Sequence, residues 1–132
     1  MSRTPDGDSP EHERWLHRTA DIRNALATLM HPASLVQARD TVGMQWMVRI
    51  LGLDSRSRLM FWRPHDSELA APCSEVAAER LAGEVLEFTA TSHEGAWLQF
   101  QPGLASRVDF GDGSLLMISA FPARLRHELI PR

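Results

Sequence analysis

Between Glu84 and Phe121 the chain alternates apolar and polar residues in short runs joined by turns too brief to carry a crossover to a parallel strand. Leu86, Phe88 and Ala90 share one face of Glu84–Thr91, and Ala96, Leu98 and Phe100 share one face of the run that follows Ser92-His-Glu-Gly95. That spacing predicts a hairpin. Leu104, Val108 and Phe110 have a common parity, and Asp112-Gly113 then offers the positive φ angles of a tight turn before Ser114–Phe121. This second hairpin ends in a strand apolar on both faces, which predicts a central position. The inward set expected from these runs is Leu86, Phe88, Leu98, Phe100, Val108 and Phe110.

Upstream, Met44, Trp46, Val48 and Ile50 alternate with polar partners, and Leu59–Arg63 follows the polar turn Asp54-Ser-Arg-Ser57, which predicts a third hairpin. Leu35-Val36 is a candidate start of a further short strand. Ile22, Leu26, Leu29 and Met30 recur at helical spacing over Thr19–His31, with Asp21 as a capping carboxylate and Pro32 just beyond the end. Ser74–Ala82 is rich in helix formers and stops at Gly83, so a second short helix is expected to cover one end of the sheet. The fold class predicted is mainly β with two short helices, a small antiparallel split β-barrel whose closure removes exposed edges. The predicted organisation is a disordered tail over residues 1–18, polar above all from Met1 to about Glu13, a barrel domain over 19–123 and a basic segment over 124–132.

A chain of 132 residues, 43% apolar and 23% charged, has the composition of one soluble domain. Its net charge of -3 and pI near 6.0 argue against a nucleic-acid polymer as partner, since such domains usually have a pI above about 9. The lone Cys73 cannot form an internal disulfide, and no apolar run follows the polar start. The expected location is the cytoplasm, with no membrane span. His12, His17, His31, His65, His93 and His127 are scattered without ligand spacing, so no metal is expected.

No Walker loop, GxGxxG, HExxH or GxSxG is present, and Gly111-Asp-Gly113 is explained by its hairpin. The pairs Asp109 with Asp112 and Glu84 with Glu87 sit beside no nucleophile, and Glu84 and Glu87 read as a solvated face. A thiol at Cys73 without a partner base reads as unreactive. The expectation is a non-enzyme without cofactor. Met30, Met44, Met47, Met60 and Met117 read as gap-filling core residues. Arg56, Arg58, Trp62 and Arg63 cluster as an aromatic anchor rimmed by arginines, the composition of a partner-binding hot spot. Phe61 and Trp62 point to opposite faces, so only one faces the core, and the pattern leaves open which.

The run Val48-Arg-Ile-Leu-Gly-Leu-Asp-Ser-Arg-Ser-Arg-Leu-Met-Phe-Trp62, the Ala-rich helix around Ala77–Leu81, then Gly83-Glu-Val-Leu-Glu-Phe88 and Gly95-Ala-Trp-Leu-Gln-Phe100 resemble the N-terminal domain of YcgR-type flagellar brake proteins. The ending Leu115-Leu-Met-Ile-Ser-Ala-Phe-Pro-Ala-Arg-Leu-Arg126 is similar too, and the resemblance spans about Asp21 to Arg126. It implies a split barrel that precedes a PilZ domain binding cyclic di-GMP, in an assembly that slows the flagellar motor through protein contacts. The family's RxxxR linker segment and DxSxxG motif are absent from their positions. Arg124, Arg126 and Arg132 follow Pro122 instead, and Arg14-Trp-Leu-His-Arg18 has RxxxR spacing ahead of the first helix, on the expected far side of the barrel. The resemblance implies a regulatory or adaptor domain acting on a flagellar motor, secretion or PilZ-type component. The alternative is a cyclic di-GMP sensor that grips phosphates with Arg124, Arg126 and Arg132.

Overall fold

The computed structural model describes residues 14–64, 78–109 and 115–130. In chain order its elements are β1 (Trp15–Leu16), α1 (Thr19–Thr28), β2 (Leu35–Arg39), β3 (Gln45–Asp54), β4 (Leu59–Pro64), a helical turn at 78–81, β5 (Glu87–Thr91), β6 (Ala96–Phe100), β7 (Ser106–Asp109), β8 (Leu115–Ala120) and β9 (Leu125–Leu129). The nine strands form one antiparallel sheet in the order β1-β9-β6-β5-β2-β3-β4-β8-β7.

The three expected hairpins form, and two of them show a local cause in their turns. Asp54 Oδ1 accepts the N–H groups of Arg56 and Ser57 at 3.0 and 3.2 Å, folding the β3–β4 turn, and Arg58 closes it at φ 57°. Ser92 Oγ accepts the Ala96 N–H at 3.1 Å, and Gly95 takes φ 86°, which turns β5 into β6. β7 and β8 pair from Ser106↔Ile118 to Asp109↔Leu115. The turn expected at Asp112-Gly113 lies outside the described residues, as do Phe110, Cys73 and Ser74–Ala77.

The sheet curls into a barrel. Trp62 on β4 meets Phe88 on β5 edge-on, ring centroids 5.2 Å apart at 87°, although β2 and β3 lie between them in the sheet. Phe88 in turn stacks on Phe100, also at 5.2 Å. At the opposite side Gly83 N–H donates to Ala105 O at 2.7 Å and Ala105 N–H donates to Glu84 O at 3.1 Å, so the approach to β5 bonds to the approach to β7. Ile22, Leu26 and Leu29 from α1 and its end, and Ala78 and Leu81 from the second helix, complete the core.

Several expectations are corrected. α1 stops at Thr28, and Ser34 Oγ donates to the Thr28 carbonyl at 2.8 Å, so Met30 falls beyond the helix and is exposed. The N-cap is Arg18, with no side-chain cap bond among the described residues; Asp21 sits in the first turn. Met60 and Met117 are buried, but Met47 is exposed because its parity opposes Val48 and Ile50, and Met44 is exposed because it lies ahead of β3, in the turn before Gln45. Leu86, Phe88, Leu98 and Phe100 are buried as expected. Val108 is only half-buried, because its cross-strand partner is Leu116 while Arg107 faces the buried Met117. Leu104 lies ahead of β7 and is exposed, leaving Ala105 as the buried residue there. β8 is next to the end of the sheet and not central, and a further strand follows it. Residues 15–16, expected in the tail, and 125–129, expected as an appended basic segment, are paired strands; the remainder of the expected tail, 1–13, lies outside the described residues.

Candidate functional site

Strand pairing decides which arginines meet. Leu125 on β9 is buried between Leu16 of β1 and Phe100 of β6, which turns Arg126 outward beside Trp15 and Gln99. The Arg124 guanidinium then lies over the Trp15 ring, 4.1 Å from its centroid, and Arg126 lies 5.6 Å from the Trp97 centroid. Arg126 Nε is 2.7 Å from Glu128 Oε2, an ionic contact without the alignment of a good hydrogen bond. Arg14 approaches the same Glu128 at 3.9 Å. The Arg14–Arg18 segment is therefore not on the far side from the C-terminal arginines, because the β1–β9 pairing brings Arg14 against them. Arg132 lies outside the described residues.

A cavity of about 300 Å³ opens here, lined by Trp15, Glu87, Gln99, Phe100, Gln101, Ala123 and Arg124. Glu87 is held in place from two sides: Arg39 pairs with Oε1 and Gln99 Nε2 donates to Oε2 at 2.8 Å. Glu87 is thus part of a polar network on the outer sheet face and not a free solvated carboxylate. The site offers one guanidinium already stacked on an indole, two side-chain amides and a neutralised carboxylate. Those groups suit hydrogen bonding to a polar ligand or polypeptide, with a single cation available for an anion. Trp15, Glu87, Gln99 and Gln101 escape sequence reading. Only the isolated apolar pair Trp15-Leu16 in a polar stretch signals that this segment docks on something.

The second expected site separates into surface and core. Trp62 is fully buried, and its Nε1 donates to Ser119 Oγ at 3.1 Å. It packs in the barrel and cannot anchor a surface partner. Arg56, Arg58 and Arg63 are exposed. Arg63 stands directly opposite Arg49 of β3.

His31 and His93, far apart in sequence, stack with centroids 3.9 Å apart and planes at 10°. Among the described residues no three His, Cys, Asp or Glu side chains group as a metal site, and no helix is long and apolar enough to cross a membrane.

No protein-family model matches the chain, and no curated protein matches it significantly by sequence. Solved structures match it by shape. Escherichia coli YcgR in complex with c-di-GMP superposes with a TM-score of 0.69 at 14% identity, over 92% of this chain and 49% of that one. The YcgR-N domain of the same protein gives 0.66 at 16% identity, over 89% of this chain and 96% of the domain. K. pneumonia MrkH gives 0.62 at 12% identity, over 90% of this chain and 45% of that one. The chain thus spans about half the length of the two longer proteins and nearly all of the isolated domain. A curled antiparallel sheet of this strand order, matched over almost the whole of that domain, is the fold of the YcgR N-terminal domain.

Proposed function

We propose that the chain is a non-enzymatic regulatory or adaptor domain that acts by protein–protein contact in cyclic di-GMP-linked control of motility. Its location is the cytoplasm and its partner a flagellar motor, secretion or PilZ-type component. The likeness to the YcgR-N domain supports the setting. The observation that carries the adaptor reading is the state of the arginines. Arg126 is tied to Glu128 at 2.7 Å, so Arg124 alone of the described C-terminal pair turns a cation toward the cavity. A dinucleotide with two phosphates calls for several converging guanidiniums. Isothermal calorimetry with cyclic di-GMP at micromolar concentration is expected to give no saturable heat. Arg124→Ala with Arg126→Ala is expected to weaken a ligand-independent partner complex and reduce its salt sensitivity.

One observation favours the sensor alternative: Arg124 stacked on Trp15 beside Gln99 and Gln101 is a small preformed polar pocket. Saturable cyclic di-GMP binding that is lost in Arg124→Ala replaces the adaptor reading with this one.

A further inference from the structure

β3 turns Val48 and Ile50 into the core, so Met47 and Arg49 must face outward. The β3–β4 register then sets Arg49 directly against Arg63. Two like charges in directly opposed positions repel. Among the described residues neither guanidinium has a hydrogen-bond or ion-pair partner, whereas Arg39 and Arg126 each have a carboxylate. Beside this pair a groove of about 120 Å³ runs between the end of α1 and the outer surface of β2 and β3, with Met30, Pro32, Leu35 and Met47 in its walls and Arg49 at its rim. The apolar walls are open to solvent: Met30 is 41%, Leu35 61% and Met47 40% exposed. Burying such surface is favourable, and the thioethers of Met30 and Met47 adapt to the shape of what enters.

The dimensions select the occupant. Small-molecule sites usually enclose about 300–1,000 Å³, so this groove holds one apolar side chain of a larger partner. Its charge selects further, because an arginine pair with no carboxylate partner among the described residues attracts a partner that brings carboxylates. We infer that this face docks an acidic polypeptide segment that inserts one bulky apolar side chain between Met30, Leu35 and Met47 and sets carboxylates against Arg49 and Arg63. The inference rests on the adaptor reading and names the chemistry of its partner. It keeps Arg63 from the expected hot spot and replaces Trp62 with an apolar groove on the same surface.

The test pans a random-peptide display library against the full chain and titrates an enriched peptide by fluorescence polarisation. The expected consensus is Asp or Glu flanking a Leu, Ile, Phe or Trp. Arg49→Glu is expected to weaken the peptide by about tenfold or more, since it reverses one of two facing charges. The melting temperature of the same variant is expected to hold or rise, because Glu at 49 now opposes Arg63; lost binding with retained stability separates docking from misfolding. Met47→Ser is expected to weaken the peptide as well, and reversal of both Arg49 and Arg63 to Glu is expected to shift the enriched consensus to Lys and Arg. A library that enriches nothing, a consensus without acidic residues, or an acidic peptide indifferent to Arg49→Glu overturns the proposal. Peptides that bind at the Trp15–Arg124 face instead overturn the groove and leave the adaptor reading standing. Saturable cyclic di-GMP binding that depends on Arg124 ends the adaptor reading, whatever the panning returns for the groove.

Discussion

Trp62 and Trp46 lie on the same hairpin and face the same core, yet their indole nitrogens have different fates. Trp62 Nε1 donates to the buried Ser119 hydroxyl at 3.1 Å, whereas the buried Trp46 Nε1 has no acceptor among the described residues. Trp62→Phe leaves the Ser119 hydroxyl without its donor and is expected to destabilise by about 1–3 kcal/mol in chemical denaturation. Adding Ser119→Ala is expected to recover part of that loss, because removing both partners leaves nothing unsatisfied. Trp46→Phe removes an unpaired donor and is expected to leave stability unchanged or slightly raised. At Gly83 (φ 84°) an added Cβ meets nothing within 4 Å, so the cost of Gly83→Ala is purely conformational. The expected loss is about 1–2 kcal/mol, and a neutral result contradicts the left-handed backbone there. Phe100→Ala empties a buried site stacked on Phe88 and is expected to cost about 3–5 kcal/mol. At this scale alternation separates the two faces of a strand but does not say which is inward. That is why Trp62 can be read as anchor or core from sequence and only packing against Phe88 and Ser119 decides.

At the scale of elements, the hairpins β3–β4, β5–β6 and β7–β8 join neighbours in the chain, so their strands are legible from alternation together with the turn residues Asp54, Ser92 and Gly95. β1 and β9 are not legible. β1 has only Trp15 and Leu16, and β9 reads Leu-Arg-His-Glu-Leu, with polar residues on its outward face and a single buried side chain, Leu125. Each is a strand because the other, or β6, is beside it. Removing residues 1–16 is expected to uncover Leu125, where Leu16 now packs, and to lower stability by about 1.5–3 kcal/mol, the burial value of a large apolar side chain. The same truncation is expected to speed amide hydrogen exchange at Leu125 and Arg126 while β3 and β4 keep their protection. Uniform loss of protection throughout the sheet contradicts a local role for β1. The candidate cavity has the same origin: Arg124 is visible after Pro122, but its partner Trp15 arrives from the other end of the chain.

For the whole molecule, a sheet that joins its first strand to its last places much of the stability in contacts of high sequence separation. Loop closure must precede such contacts, so refolding is expected in the millisecond-to-second range typical of all-β domains, as stopped-flow fluorescence of the tryptophans would read. Microsecond refolding contradicts this topology. The order of apolar runs, the turn chemistry at Asp54, Ser92 and Gly95 and the helix stop at Gly83 already dictate an antiparallel, hairpin-built β domain, because each depends on residues a few positions apart. The curl that carries Trp62 onto Phe88, the β1–β9 pairing that joins Trp15 to Arg124, and the opposition of Arg49 and Arg63 beside an open groove belong to tertiary structure alone. They depend on register and closure between distant segments, which local periodicity does not encode.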